Sequence, residues 1–328
     1  RKNLMHDGDE TPIGGHVSHI RGVEALERAI EMSGYNKPRP KHVGRGLAFS
    51  EWSRSGGEGN VFVKIEEDGK VKVSSPVVDQ GAGVLTVIVE CVGQELGVPA
   101  GDIELAQLDS TTVPSDGGVG GSRATRVYGN ASYEAGVKAR QEVIAAAAAK
   151  LMLPAEELEL ADAHVIHRKS KGRMSFAEVI KAKGSPITVK GYYKSSEKSH
   201  DASVSAQIAE VQVDPETGQV ILKQMVSAHT TGKVINPLMH QGQIDGGVVF
   251  GLGYALQEEI LFDNGKIVTT NFGEFKIPNI MDIPPLKTSV IENVPHGPGP
   301  YNSLAIEQVG NTPTAPAGAN AGAGACAV

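Results

Sequence analysis

Cysteine is nearly absent from this chain of 328 residues, which has only Cys91 and Cys326. Two thiols so far apart, without partners at metal-ligand spacing, exclude a disulfide framework and leave a zinc or iron-sulfur site unsupported. A reducing compartment suits such a sequence. Positive charge is also short: 31 Lys and Arg stand against 38 Asp and Glu for a net charge of -7, so no basic nucleic-acid footprint is expected. Long apolar runs are missing as well. Nothing approaches the roughly 20 consecutive apolar residues of a membrane-spanning helix, and the opening "RKNLMHDGDETP" lacks the apolar centre of a secretory signal. What remains, 40% hydrophobic and 21% charged residues, is the balance of a soluble globular protein with one large domain or two joined ones, expected in the cytoplasm. The first residue is Arg rather than Met, which fits a processed, trimmed or incomplete chain.

Helical and strand periodicities give an order of elements that occurs twice. Residues 1–45 read as a lead-in segment with one helix, "GVEALERAIEMSG", in which Val23, Leu26, Ile30 and Met32 fall near helical spacing and Gly34 marks the end. Residues 46–155 read as a first subdomain of strand, glycine-rich turn and hairpin, with Asp68-Gly69 as a two-residue turn. The apolar helix "VLTVIVECVGQELGV", the strand "DIELAQLD" and a long helix in "SYEAGVKARQEVIAAAAAKLM" follow. The lysine- and serine-rich stretch within residues 156–200 is expected as a linker or surface excursion. Residues 201–328 read as a second subdomain, with a hairpin turned at "DPETGQ" and then a helix in "HQGQIDGGVVFGLGYALQEEI". The tail "TAPAGANAGAGACAV" reads as a close-packed helix or a flexible end. The expected class is α+β, with two intertwined hairpin-plus-helix subdomains whose likeness is one of architecture, since no sequence repeat is present.

The stretch "GGVGGSRATRVYGNASYEAG", residues 117–136, sets four glycines, a serine and a threonine ahead of a helix. Glycine lacks the Cβ that would hold backbone N–H groups away from a ligand, and the first amides of a helix are unpaired, so this segment can bind an anion. It matches neither the P-loop, since no "GK[ST]" closes it, nor the G-x-G-x-x-G spacing of a dinucleotide fold. A turn with a capping Ser or Thr is the plainer alternative. Two further segments share the logic. "VVDQGAGV" puts Gln80 and Gly81 at a strand-to-helix junction, and "HQGQIDGG" puts Gln243 among glycines at a helix start, where an amide either meets a polar cofactor or caps the helix. His229 and His240 flank "TTGKVINPLM" without a third ligand at metal spacing and read as caps, packing residues or substrate contacts. Tyr301 reads as a substrate-orienting group or a loop anchor.

Taken in order, "VVDQGAG", "GGVGGSRATRVYGNASYEAG" and "GKVINPLMHQGQIDGGVVFGLGYALQEE" resemble three cofactor segments of the molybdenum hydroxylases, the xanthine dehydrogenase and aldehyde oxidase family. The likeness runs from "RKNLMHDGDETP" to "NFGEFKIPNIMDIPPL", and "INP...GQIDGG...GLGYALQEE" is its most specific part. It implies a molybdopterin cofactor with molybdenum, expected in its cytosine dinucleotide form. Gln80 and Gly81 fall on the first segment, Gly120, Gly121, Ser122, Arg123, Ala124 and Thr125 on the second, and Gln243 on the third, with Asn130 placed for a nucleotide contact. The cofactor's pyrophosphate would meet the loop amides, the Ser122 and Thr125 hydroxyls and the Arg123 cation, unless Arg123 pairs with a surface carboxylate instead.

The resemblance implies hydroxylation, with water-derived oxygen, of an N-heteroaromatic compound such as a purine or nicotinate, or of an aldehyde. Only the downstream half of the family's cofactor region is matched, as in a medium molybdopterin subunit such as that of nicotinate dehydrogenase. Partners are therefore implied: a large molybdopterin subunit, an FAD subunit and an iron-sulfur subunit with [2Fe-2S] clusters, forming a dimer of heteromers. One departure concerns the general base. The family's last loop reads approximately "PYGAKGIGEPP", with a catalytic glutamate. Here "GPYNSLAIEQVGNTPTAPAGANA", anchored on Pro300-Tyr301 and "PTAPA", sets Gln308 at that position, and a one-residue slip sets Glu307 there. An amide has no basic form near neutral pH, so Gln308 in that place would point to a reductive or dehydroxylating enzyme, or to a non-catalytic structural half. A nucleotide-binding module unrelated to the family, using the glycine loop alone, is the remaining alternative.

Overall fold

Small residues, more than apolar bulk, decide how helices meet sheets in this protein. The computed structural model describes residues 1–12, 14–18, 20–53, 56–106, 108–109, 111, 113–195, 202–292, 297–306 and 308–327. Along the chain come α1 (Gly22–Ser33), β1 (Val43–Ser53), β2 (Glu58–Ile65), β3 (Val71–Ser74), α2 (Val84–Leu96), β4 (Ile103–Leu105) and α3 (Asn130–Leu151). Next are β5 (Leu158–Ala161), β6 (His164–His167), β7 (Arg173–Ser175), α4 (Phe176–Lys183), β8 (Ile187–Lys194), β9 (Ala202–Val213) and β10 (Val220–Thr230). The last are α5 (Pro237–Leu256), β11 (Phe262–Asp263), β12 (Lys266–Ile267), α6 (Phe272–Phe275), β13 (Leu286–Ile291) and α7 (Thr314–Cys326). This mixture is the α+β class expected. The contacts divide the chain into two units, one of Arg1–Arg54, His200–Gly297 and Leu304–Val328, the other of Ser55–Ser199 and Pro298–Ser303.

The first unit is built on a sheet of order β1-β9-β10-β13, antiparallel apart from the parallel pair β10 and β13. β9 and β10 form the expected hairpin around "DPETGQ". Because strand side chains alternate between faces, β9 feeds two cores. Val204 and Ile208 join Ala25, Leu26 and Ala29 of α1, whereas Ala209 and Val211 join Ala317, Ala321 and Ala325 of α7. α7 reaches the sheet backbone itself, since a Cβ on Gly44 or Gly46 of β1 would overlap the Ala321 backbone. The small-residue tail is thus a close-packed helix.

The second unit carries a sheet of order β4-β3-β2-β8 and a smaller sheet β5-β6-β7. Val61, Val63 and Val73 of the larger sheet share a core with Ile88, Val92 and Leu96 of α2. α3 adds Ala131, Ala135, Ala139, Val143 and Ala147 to it, a stripe repeated every four residues along one helix face. α2 ends as expected at Gly97, whose backbone is left-handed at φ 63°.

Two expectations change. The β2–β3 hairpin closes through the Glu66 N–H on the Lys70 carbonyl at 2.9 Å, so Glu67, Asp68 and Gly69 make a three-residue loop in which Gly69 takes the left-handed position (φ 84°). The stretch read as a linker holds β5 to β7, α4 and β8. Within it "RMSFAEVIK" starts a helix by a capping box, Ser175 with Glu178, a signal masked by the surrounding lysines. Among the described residues no helix is long and apolar enough to cross a membrane.

Candidate functional site

In the second unit the glycine-rich loop feeds a π-helical turn, Thr125–Gly129, with Ala124 just ahead of it, and then α3. Gly121 (φ 75°) and Ser122 (φ 58°) are both left-handed, a backbone that glycine adopts freely and serine seldom does. Ser122 is buried. The N–H groups of Gly120 and Gly121 have no partner among the described residues, and a Cβ on the exposed Gly120 would have nothing within 4 Å. Adjacent donors beside open space suit an anion.

Arg123 bonds three backbone carbonyls and pairs with no carboxylate among the described residues. Its Nε donates to the Gly118 carbonyl at 2.8 Å, its Nη1 to the Gly56 carbonyl at 3.3 Å and its Nη2 to the Gly117 carbonyl. Asp116 braces the same turn. Its Oδ1 accepts from the Gly118 N–H at 2.6 Å, and the Tyr128 hydroxyl lies 2.7 Å from both carboxylate oxygens. Burial first, and then this carboxylate, push the Tyr128 hydroxyl above the ordinary phenol range. Asn130, expected at a nucleotide, instead donates its amide N–H groups to the Arg126 and Pro298 carbonyls, each at 2.7 Å. It thereby pins residues 298–303 together with Tyr301, whose hydroxyl donates to Glu95 Oε1 at 3.0 Å and whose ring meets Tyr133 edge-on at 5.7 Å. Tyr301 is a loop anchor.

At the start of α2, the Asp79 carboxylate accepts from the N–H groups of Gly81 (2.8 Å), Gly83 (3.1 Å) and Leu85 (3.2 Å). This helix start carries its own anion, and the Gly81 amide has none left to offer a phosphate. Gln80 differs: it is exposed, its side chain has no partner among the described residues, and Gly81 beside it (φ 94°) faces open space. Asp79 and Asp116, which brace these two turns, are residues that the sequence reading passed over. Their signal was the spacing D-x-G, "DQG" and "DGG", in which an aspartate turns back to accept from the amide two residues on.

In the first unit α5 starts earlier than its glycines suggest. The Asn236 side chain accepts from the Met239 N–H at 3.2 Å and Pro237 takes the first helical position. Gln243 therefore stands in the second turn, half-buried and without a side-chain partner among the described residues, between Gly242 and Gly246 with open space at both. Gln308 opens a single helical turn, Gln308–Gly310; Glu307 lies outside the described residues. This segment rests on the α7 side of the sheet. Ser203 Oγ donates to the Ala305 carbonyl, Gln207 Nε2 to the Gly310 carbonyl at 2.6 Å, and Thr314 Oγ1 to Gln207 Oε1 at 2.7 Å.

His229, on the same sheet face and fully buried, has its Nε2 3.4 Å from His240 Nε2, with the rings stacked at 5.6 Å. Burial lowers His229 to about 3, helped by His240. It lowers His240 to about 4, against the pull of Glu292. Both rings are neutral near pH 7. They form a packing pair, and no group of three or more His, Cys, Asp or Glu among the described residues could hold a metal ion.

A family model described as "Molybdopterin cofactor-binding domain" matches residues 22–284. The chain is 28% identical over 352 residues to the "Probable hypoxanthine oxidase XdhD" of Escherichia coli strain K12, covering 100% of this chain and 36% of that protein. It is 29% identical over 326 residues to the nicotine 6-hydroxylase large subunit of Paenarthrobacter nicotinovorans, covering 89% and 40%. The crystal structure of quinoline 2-oxidoreductase from Pseudomonas putida 86 shares the fold, with a TM-score of 0.82 at 22% identity over 98% of this chain and 45% of that one. The chain spans less than half the length of each.

Proposed function

From the premise that this chain belongs to the molybdopterin cofactor-binding domain family, we propose that it is the cofactor-holding part of a molybdenum hydroxylase that oxidises an N-heteroaromatic compound or an aldehyde, with water as the oxygen source. The observation that carries the reading is the Gly120–Gly121 amide pair, unpartnered and beside open space in a loop already clamped by Arg123 and Asp116. Those amides suit the phosphates of a cytosine dinucleotide form, with Ser122, Ala124 and Thr125 completing the turn. The unspent amides of Gln80 and Gln243 supply donor and acceptor to the polar edges of the pterin, and Gly81 keeps the space beside Gln80 open. Arg123 shapes the loop, and Asn130 has no N–H to give. When bound, the cofactor supplies a molybdenum centre that takes electrons from the substrate carbon.

We assign proton removal to Glu307, whose carboxylate can accept a proton near neutral pH where the Gln308 amide cannot. The two relatives are named for hypoxanthine and nicotine, both N-heterocycles, which favours that substrate class. Onward electron transfer falls to FAD and [2Fe-2S] subunits beside a large molybdopterin subunit. Cys91 is buried with its thiol pushed up to about 12, and Cys326 stands far from it in sequence, so the chain offers no cysteine cluster for that task.

Metal and nucleotide analysis of the assembly from its native host tests the reading. Molybdenum near one per copy and cytidine monophosphate on hydrolysis are expected; an assembly without molybdenum ends it. Glu307→Ala should lower kcat by about 10²- to 10⁴-fold, with Gln308→Ala much milder. Full activity in both variants would leave a structural role, and turnover in the reductive direction alone would favour a dehydroxylating enzyme.

A further inference from the structure

Residues 257–283, between α5 and β13, contain no buried side chain. They nevertheless hold Phe262 (66% exposed), Phe272 (73%), Ile280 (85%) and Met281 (88%). The regular structure of this arm is the hairpin of β11 and β12, two residues each, the four-residue α6 and a single turn at Ile280–Asp282. Ordering a chain costs backbone entropy that buried area must offset, and a lone two-stranded hairpin is marginal in water. The arm has no such area of its own. α5 extends the same surface: Ile244, Val248 and Leu252 are buried on its inner side, while Phe250 is 64% exposed and packs edge-on against the exposed Tyr254 at 6.0 Å. From Gly246 to Leu256 α5 carries no charged side chain on either side; such a stretch belongs inside a finished molecule, and a monomer seldom shows so much apolar surface.

We infer that this arm and the outer side of α5 dock the polypeptide corresponding to the part of the relatives that this chain does not span. The inference rests on the family reading above. The Escherichia coli relative carries nearly two thirds of its length outside the match, and the nicotine hydroxylase subunit 60%, each within the same chain. Charge narrows the occupant further. From residue 237 to 284 six carboxylates stand against Lys266 and Lys276, so the facing surface is apolar with a basic rim. A second copy of this chain would set one acidic rim against another, which charge complementarity disfavours.

The test uses the assembly purified from its native host. Amine cross-linking followed by mass spectrometry should connect Lys266 or Lys276 to polypeptide that aligns with the unspanned part of the Escherichia coli relative, and residues 257–283 should be protected from hydrogen exchange. A Met281→Asp variant should lower recovery of that polypeptide at least tenfold. Links only to a second copy, or an arm that exchanges as freely as an unfolded peptide in the wild-type assembly, would overturn the inference. Molybdenum analysis of the same sample separates the two readings. Cross-links without molybdenum remove the cofactor reading alone, and molybdenum with a freely exchanging arm removes the docking alone.

Discussion

Arg123 donates to three carbonyls, those of Gly56, Gly117 and Gly118, and its work is to hold a loop whose other amides stay open. Removing it leaves three acceptors short of a charged donor, so Arg123→Ala should destabilise the second unit by about 1–3 kcal/mol and raise hydrogen exchange across residues 117–123. Lysine brings one compact charge without the planar fork and should not rescue it. A fall in cofactor content with unchanged exchange would instead mean that Arg123 touches the ligand. The histidine pair makes a second prediction. Both folded pKa values lie below the ordinary 6.5, at about 3 for His229 and about 4 for His240. Between pH 6.5 and 4 the unfolded chain binds more protons than the folded one, so stability present above pH 6.5 is lost as the pH falls through that window. The urea midpoint should drop between pH 7 and 5, and His240→Gln should flatten that slope.

At the scale of elements, α7 and β1 carry the sharpest prediction. Gly46→Val places side-chain atoms in the Ala321 backbone and should cost about 1–3 kcal/mol or more through overpacking, read as a lower melting temperature. Gly318 lies within α7 with nothing within 4 Å of a built Cβ, so Gly318→Ala should gain about 0.5–1 kcal/mol from helix propensity. Opposite signs at a glycine in the contact and at one outside it test the close-packing account. The same elements show what was legible in the sequence. Gly34 and Gly97 end their helices as read, and "DPETGQ" turns its hairpin, because caps and turns are local chemistry. α5 was placed three residues late because the glycines outweighed Asn236 and Pro237, which mark a helix start directly. Gln80 and Gln243 were legible as amides near helix starts, and their side chains have no partner among the described residues, whereas the bonds of Arg123 and Asn130 were not legible. Their partners, Gly56 and Pro298, are distant in sequence.

For the whole molecule, the division into two units depends on pairings that no local pattern announces. β1 belongs with β9 through an eleven-residue register from Val43↔Gln212 to Ser53↔Ala202, so the first unit resumes only after the second has been completed up to residue 199. Later the chain returns to the second unit for Pro298–Ser303 alone and then re-enters the first. Asn130 holds that short return through the Pro298 carbonyl. Asn130→Ala should therefore raise hydrogen exchange across residues 298–303, while the exchange of β1 and β9 in the first unit stays at the wild-type level. Unchanged exchange across the strip would mean that Asn130 does not hold it.

That strip works as a mooring line. It is six residues long, Pro298 to Ser303, and Asn130 fixes it at its first residue. Loosening at Asn130 would free the strip from its leading end, while the Tyr301 hydroxyl on Glu95 still holds its middle.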